Sequence, residues 1–202
     1  MRGPVQREDW DRRYAEPNLL WSATPNRFLV REAIGLAPAR ALDLACGEGR
    51  NALWLADLGW HVTAVDYSSV AIEKARKRAA AEAAAIAFVC ADLLEYEPER
   101  GAYELVLVLY LQLPAAERRL VLSRAAGALA PGGTFFLVGH DLTNLRDGVG
   151  GPSDPEVLYT PDDIVAEVPG LVVVKAERVL RDVADADRPA IDALVRTHRP
   201  ER

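Results

Sequence analysis

The stretch Ala41–Ser68, ALDLACGEGRNALWLADLGWHVTAVDYS, constrains the fold more strongly than any other part of the sequence. An apolar run enters a turn with two glycines, continues as an amphipathic segment and reaches a second apolar run. This order is typical of a βαβ unit, in which the two strands are parallel. Further apolar runs follow at residues 86–90, 103–110 and 134–139. The sequence therefore predicts an α/β fold with a doubly wound, mostly parallel sheet and helices on both faces.

The segments around this core supply helix signals and two further strands. Ser22 or Thr24 is predicted to cap a helix ahead of the first strand, and Ser68 to cap another after the second. The last strands are predicted at residues 171–179 and 190–197. Doubly wound sheets bind their ligands at the carboxyl ends of the strands. The residues that directly follow the strands are therefore the candidates for a site.

Length, charge and cysteine content narrow the classes of function. The 202 residues suit one domain, and the net charge of −6 gives no basic field for nucleic acid. The first residues lack the apolar core of a signal peptide, and no segment is long enough to cross a bilayer. Cys46 and Cys90 form neither a disulfide framework nor a metal-binding spacing. We expect a protein of the reducing cytoplasm, with no metal, membrane or nucleic-acid partner.

The glycine turn by itself leaves its ligand open. Residues 47–52, GEGRNA, fit the dinucleotide fingerprint G-x-G-x-x-A, and Asp66 follows about twenty residues after its start. Any tight connection between a strand and a helix also favours glycine, so turn geometry alone is one interpretation. A nicotinamide dinucleotide is another.

Three carboxylates favour a different nucleotide. Asp43 lies inside the first strand, where burial is costly unless the side chain meets a cation. It would repel a pyrophosphate and hold an ammonium group, directly or through water. Asp66 ends the second strand and can accept both hydroxyls of a ribose, whereas Asp92 follows the third and can accept from the adenine amine. Ribose, adenine and an aminoalkyl tail are the parts of S-adenosylmethionine, whose product is S-adenosylhomocysteine.

The motifs LDLACGEGRNALWLA, VTAVDYS, ADLL and LAPGG together resemble the class I S-adenosylmethionine-dependent methyltransferases. The CGxGRN turn and the N-terminal WDRRY resemble the branch of tellurite-resistance and thiopurine methyltransferases in particular. The resemblance extends from Trp10 to about Gly139 and implies a seven-stranded, Rossmann-like sheet that ends in an antiparallel hairpin. One departure is Ala45, which occupies the place of the first glycine in the family pattern D-x-G-x-G-x-G.

The resemblance also implies roles around the first two strands. Asp43, Ala45 and Gly47, with Gly49 in the same turn, would lie beside the methionine moiety. Asp66 would hold the ribose.

Further along the chain, the resemblance implies that Tyr67 stacks on or beside the adenine. Asp92 and the amide of Leu93 would read the adenine edge, and Leu109 and Tyr110 would form the floor near the methyl group. For Tyr67 and Tyr110, ordinary core packing is the alternative interpretation.

In related enzymes the N-terminal segment folds over the cofactor, which places Tyr14 or Arg27 at the carboxylate of the methionine moiety. We therefore predict one methyltransferase domain over residues 1–202. It divides into an N-terminal helical lid (1–38), a cofactor-binding core (39–139) and an acceptor-side segment (140–202).

The acceptor side has two polar candidates, His140 and Asp141, directly after the fifth strand. Methyl transfer from a sulfonium requires mainly alignment, and a base only where the acceptor must lose a proton. The hypothesis is that His140 orients or deprotonates the acceptor, while Asp141 or a neighbouring group sets its tautomer. The alternative is a loop whose side chains bond their own backbone. The short connection at 110–114 favours a small-molecule acceptor: a thiol, an amine, a phenol or a chalcogen oxyanion.

Two other functions stay open at this stage. An NAD(P)-dependent oxidoreductase is supported by the literal fingerprint, but Asp43 and the lack of a Tyr-x-x-x-Lys pair oppose it. A non-catalytic module that binds S-adenosylmethionine is compatible with every motif, since cofactor and acceptor sites are separate. The sequence does not indicate the oligomeric state.

Overall fold

A computed structural model describes residues 7–201, so residues 1–6 of the predicted lid and residue 202 lie outside the described part. The strands are β1 (Arg40–Leu44), β2 (His61–Asp66), β3 (Ile86–Cys90), β4 (Tyr103–Leu109), β5 (Leu129–His140), β6 (Val172–Arg181) and β7 (Ala190–His198). The helices are α1 (Arg7–Tyr14), α2 (Arg27–Ala33), α3 (Arg50–Asp57), α4 (Ser69–Ala81), α5 (Ala115–Ala128), α6 (Asn144–Asp147) and α7 (Pro161–Glu167). A 3₁₀ turn covers Pro155–Val157.

The strands form one seven-stranded sheet in the order β3-β2-β1-β4-β5-β7-β6. Pairing is parallel for β1 with β2, for β2 with β3 and for β4 with β5. The last two strands pair antiparallel with each other, and β7 pairs antiparallel with β5. The predicted fold class, a mostly parallel Rossmann-like sheet with an antiparallel C-terminal hairpin, is confirmed.

By its internal contacts the chain divides into two compact units, Met1–Tyr96 and Glu97–Arg202. The division into lid, core and acceptor segments stays a prediction. Within residues 7–201 no helix combines the length and the apolar character that crossing a membrane requires.

The first unit contains β1–β3 and α1–α4. Strands β1 and β2 are apolar and largely buried, as in a sheet covered on both faces, whereas β3 at the edge of the sheet is partly exposed. Helix α4 begins at the predicted cap Ser68, whose Oγ accepts from the amide of Ala71 at 3.1 Å. Helix α2 begins later than expected: its cap is Asn26, which accepts from the amides of Phe28 and Leu29, and not Ser22 or Thr24.

The second unit contains β4–β7 and α5–α7. Strand β5 is buried over most of its length because it pairs on both sides, with β4 and with β7. Helix α7 is fixed by a capping box, in which the Thr160 and Asp163 side chains bond each other's backbone amides.

Candidate functional site

The glycine turn between β1 and α3 needs its glycines for two reasons. Gly47 has φ 54° and Gly49 φ 78°, a left-handed conformation that side chains disfavour. A Cβ on Gly47 would lie 2.9 Å from Oη of Tyr14, and one on Gly49 would lie 3.0 Å from Cβ of Ala75. The turn therefore requires both backbone freedom and close approach, which explains the G-x-G pattern in this chain.

Ala45 adopts the same left-handed conformation, with φ 62°, although it is not glycine. For an alanine this conformation costs about 1 kcal/mol. Ala45 therefore adopts the left-handed backbone of this turn at a small energetic cost.

Asp43 is the most unusual group in the first unit. Its residue is fully buried, and neither carboxylate oxygen has a hydrogen-bond partner within residues 7–201. Burial raises the pKa of Asp43 to about 7, the charge of Asp66 adds to this, and Arg50 opposes it. Buried polar groups nearly always have a hydrogen-bond partner. The absence of one for the Asp43 carboxyl among the described residues therefore requires an explanation that its neighbouring residues do not supply.

Asp66 joins the end of β2 to the glycine turn. Its Oδ2 accepts from the amide of Gly47 at 2.8 Å and its Oδ1 from the amide of Ser68 at 2.9 Å. Burial raises the pKa of Asp66, and these two amides act in the opposite direction. A carboxylate has about four acceptor positions, so two bonds leave room for the predicted ribose hydroxyls.

The predicted adenine-side residues lie in the same unit. Tyr67 is partly buried, and burial raises the pKa of its hydroxyl to about 12. The Oδ1 of Asp92 accepts from the amide of Leu94 at 2.8 Å and so shapes the turn after β3. Leu93, the next residue in the chain, is buried. Their contacts with a nucleotide stay predictions.

Glu48, between the two glycines, fixes an N-terminal strap that we define as residues 10–21. The Glu48 side chain is buried, and its Oε2 accepts from the amide of Leu20 at 2.9 Å. Its Oε1 accepts from Nζ of Lys74 at 3.2 Å, and the same Nζ donates to the carbonyls of Glu16 and Asn18. Sequence reasoning missed this cluster, although a carboxylate inside a glycine turn is a signal in itself.

One further contact fastens the strap to the start of α4, and another joins two of its own residues. Asp11 accepts from Oγ of Ser68 at 2.5 Å, and Trp21 donates from its indole nitrogen to Oη of Tyr14 at 3.3 Å. Tyr14 is buried against the glycine turn, and burial raises the pKa of its hydroxyl. Arg27, the other residue predicted for the cofactor carboxylate, is exposed at the start of α2 with its guanidinium over the Phe28 ring. Either role stays a prediction.

In the second unit, His140 ends β5 beside a buried carboxylate that the sequence analysis did not select, Asp192 of β7. Asp192 is fully buried and accepts from Oη of Tyr110 at 2.8 Å and from Nε of Arg181 at 2.7 Å. Nδ1 of His140 lies 3.5 Å from Oδ1 of Asp192. The rings of His140 and Tyr110 have centroids 5.2 Å apart. Leu109, the last residue of β4, is buried.

Asp141 has different partners. It is fully buried, and its Oδ1 accepts from the amide and hydroxyl of Thr143 and from Nε of Arg178 at 2.9 Å. These bonds anchor the loop after β5. The carboxylate beside His140 is therefore the neighbouring group Asp192, and Asp141 holds the backbone that follows the histidine.

The protonation of His140 is set mainly by burial. Burial lowers the pKa of His140, Arg181 lowers it further, and Asp192 acts in the opposite direction. Burial also raises the pKa of the Tyr110 hydroxyl, and the charge of Asp192 adds to that effect. At neutral pH the cluster thus holds a neutral imidazole beside an arginine–carboxylate pair.

Comparisons with known proteins point in one direction. Residues 41–133 match the family described as a methyltransferase domain. An uncharacterised methyltransferase of Mycobacterium tuberculosis is 30% identical over 130 residues, which is 64% of this chain and 65% of the relative. A demethylmenaquinone methyltransferase of Thermus thermophilus is 33% identical over 114 residues, which is 55% of this chain and 52% of the relative. The chain thus spans less than two thirds of the length of these relatives.

Solved structures agree in fold. The N-methyltransferase NodS from Bradyrhizobium japonicum, in complex with S-adenosylhomocysteine, matches with a TM-score of 0.73 at 20% identity, over 98% of this chain and all of that chain. TehB from Haemophilus influenzae matches with a TM-score of 0.72 at 17% identity, over 96% of this chain and 66% of that one. At such identities the likeness describes the fold.

Proposed function

We propose that the chain is a class I, S-adenosylmethionine-dependent methyltransferase that transfers a methyl group to a small-molecule acceptor; its motifs, the match of residues 41–133 to a methyltransferase domain and the likeness in fold support this. The demethylmenaquinone methyltransferase and the N-methyltransferase NodS differ in the acceptor that their names state, so the proposal keeps the predicted range of thiol, amine, phenol or chalcogen oxyanion. In this proposal the protein is cytoplasmic and has no nucleic-acid or membrane partner.

One observation carries the cofactor part of this proposal: the buried, unpartnered carboxyl of Asp43 beside a glycine turn. A pyrophosphate would add negative charge next to it, whereas the ammonium of S-adenosylmethionine would supply the missing cation. The donor set therefore fits this cofactor better than a nicotinamide dinucleotide. In the proposal Asp43 holds the ammonium group, Asp66 the ribose and Asp92 the adenine amine.

The remaining predicted residues are assigned in the same way. Ala45, Gly47 and Gly49 shape the turn for the methionine moiety, and Tyr67 and Leu93 contact the adenine. Leu109 keeps its predicted place near the methyl group, and Tyr14 or Arg27 its place at the carboxylate.

When bound, S-adenosylmethionine supplies a methyl group on a sulfonium, which leaves as a neutral thioether. The chain's own contribution is to orient the acceptor and, where needed, to remove its proton. His140 is the proposed base because burial keeps its imidazole neutral at pH 7 and so free to accept a proton. Asp141 contributes indirectly, by fixing the loop that follows the histidine.

Calorimetric titration with S-adenosylhomocysteine and with NADH tests the cofactor. We expect binding of the first only, and a loss of about 10- to 100-fold in affinity for Asp43→Asn, since a buried charge pair is removed. Asp57→Asn, an exposed carboxylate on α3, is the matched control and should bind normally. Tight binding of NADH without S-adenosylhomocysteine would favour the oxidoreductase.

A second assay tests catalysis. Transfer of a labelled methyl group is measured with a panel of thiols, phenols, amines, selenite and tellurite. Methylation of any of them supports the proposal. Binding of S-adenosylhomocysteine with no transfer to any acceptor would indicate a non-catalytic binding module.

A further inference from the structure

We propose that Asp192 is the positioning carboxylate of His140, and that the pair selects acceptors that must lose a proton: thiols, phenols and protonated amines. The inference rests on the proposed methyl transfer and deepens its acceptor side. It excludes oxyanions such as selenite and tellurite as the main substrates, because these need not lose a proton when they accept the methyl group.

The backbone places the two residues together. His140 and Asp192 are direct partners in the antiparallel pairing of β5 with β7, so their side chains lie on the same face of the sheet. Asp192 is held from two more sides by Arg181 of β6 and by Tyr110, which follows β4. These two hydrogen bonds hold the Asp192 carboxylate in a single orientation beside the imidazole of His140.

The two edges of the His140 ring differ in their surroundings. Nδ1 is buried and makes no hydrogen bond within the described chain, and it faces Asp192 at 3.5 Å. The backbone of Gly151 packs against the ring, since a Cβ there would lie 2.7 Å from Nδ1, 2.8 Å from Cγ and 2.9 Å from Cε1. The side chain is 14% exposed, and Nδ1 is the ring nitrogen that is buried without a hydrogen-bond partner in the described chain.

This arrangement favours one tautomer. A carboxylate beside Nδ1 stabilises the form with the proton on Nδ1, which leaves the Nε2 electron pair free. Catalytic hydrogen bonds are often long in the free enzyme and shorten when the substrate binds. The distance of 3.5 Å between Nδ1 of His140 and Oδ1 of Asp192 is short enough to close to a hydrogen bond in this way.

Burial and, to a smaller extent, Arg181 explain why the histidine is not permanently protonated. An isolated carboxylate next to His140 would hold it as imidazolium, which has no free pair to act as a base. The guanidinium of Arg181 neutralises Asp192, and within residues 7–201 these two are the charged groups whose fields act on the pKa of His140. Tyr110 faces the ring as well, as a neutral hydroxyl bonded to Asp192.

The proton step then balances. The acceptor atom gives its proton to Nε2 of His140 and keeps the electron pair, which forms the new bond to the methyl carbon while the bond from methyl to sulfur breaks and its electron pair stays on the sulfur of the leaving thioether. Asp192 stabilises the imidazolium that results, and the proton passes to water afterwards.

NMR titration of the histidine nitrogens tests the pair without any turnover. The chain has three histidines, and His140→Asn identifies the signal of His140. We expect the tautomer with the proton on Nδ1 in the unmodified protein. Arg181→Gln should raise the pKa of His140, because Asp192 loses its counter-charge, whereas Asp192→Asn should lower it and abolish the tautomer preference.

Arg178→Gln is the control, since this guanidinium bonds Asp141 and should leave the titration of His140 unchanged. If Asp192→Asn does not fold, the pKa of His140 in Arg181→Gln is sufficient to test the inference. A tautomer with the proton on Nε2, or no movement of the pKa in Arg181→Gln, would overturn the inference.

Turnover tests the acceptor class. With a thiol or phenol acceptor, His140→Asn should reduce kcat by about 10²-fold near pH 7 and by less at high pH, where the acceptor ionises unaided. Equal turnover at every pH, or selenite or tellurite as the best acceptor, would overturn the inference. If nothing is methylated, the proposed function fails, while the NMR result still tests the pair.

Discussion

Asp43 in the first unit and Asp192 in the second are both fully buried carboxylates, yet their surroundings are opposite. Asp43 has no hydrogen-bond partner among residues 7–201, whereas Asp192 accepts from Tyr110 and Arg181 and faces His140. A buried charge is tolerated only with a partner. The comparison therefore distinguishes Asp43, whose partner is expected to come from a ligand, from Asp192, whose partners belong to the chain.

The two electrostatic situations also differ in what they do for the fold. Desolvation and the nearby Asp66 destabilise the charged form of Asp43, so the carboxyl costs stability until a cation arrives. Asp192 is stabilised by its own arginine, and breaking such a pair leaves an uncompensated cation behind. The same substitution, Asp to Asn, should thus have opposite effects at the two positions.

The largest effect is expected for Asp192→Asn. It leaves Arg181 without its carboxylate in a partly buried position and should lower the free energy of unfolding by about 3–5 kcal/mol. Urea unfolding at pH 7 measures this. Asp187→Asn, an exposed carboxylate in the connection before β7, is the control and should change stability by less than about 0.5 kcal/mol. An equal loss of unfolding free energy in Asp192→Asn and Asp187→Asn would mean that the buried pair with Arg181 does not stabilise the fold.

Asp43→Asn should instead stabilise the ligand-free protein, in a pH-dependent manner. The pKa of Asp43 rises from 3.8 to about 7 on folding, so the unfolded state releases its proton first and stability falls as pH increases between these values. Above pH 7 the whole penalty is present, and its removal should gain on the order of 2–4 kcal/mol. Below pH 4 the variant and the unmodified protein should be equally stable.

Urea unfolding at pH 4, 6 and 8 checks the sign. A loss of stability in Asp43→Asn at pH 8 would mean that the carboxylate already has a partner within the chain. Saturating S-adenosylhomocysteine should reduce or reverse the gain, because the ligand stabilises only the protein that binds it well.

The contrast between the two carboxylates also marks how far the sequence could predict the site. The surroundings of Asp43 are local: a strand, a glycine turn and the next strand, all within Ala41–Ser68, and these were predicted correctly in position. The partners of Asp192 are brought together by the pairing of β5 with β7 and of β6 with β7. No short-range pattern specifies that register, so Arg181 and Asp192 were missed.

The errors in the first unit have the same origin. Ser22 and Thr24 are good caps by type, but Asn26 is the residue whose side chain reaches the first amides of α2. Lys74 of α4 likewise reaches Glu48 and two carbonyls of the strap, contacts that its place in the sequence does not specify. Propensity identifies which residues are capable of a contact, and tertiary structure selects among them.

Glu48 is intermediate between the two carboxylates, since it is buried but its partners belong to the strap and to Lys74. If the strap covers a bound cofactor, release of S-adenosylhomocysteine requires these bonds to break. Glu48→Gln removes the charge while keeping the shape of the side chain.

We expect Glu48→Gln to accelerate dissociation about 3- to 10-fold, the equivalent of roughly 1 kcal/mol for one partly buried ion pair. Stopped-flow displacement of S-adenosylhomocysteine, followed by tryptophan fluorescence, measures the rate. Lys74→Met should behave in the same way because it removes the other half of the pair. Lys77→Met, whose exposed pair with Glu73 lies on the same helix, should leave the rate unchanged. Unchanged dissociation in both Glu48→Gln and Lys74→Met would mean that this buried pair stabilises the turn alone, and Glu48 would then belong with Asp192 as a carboxylate that the chain completes for itself.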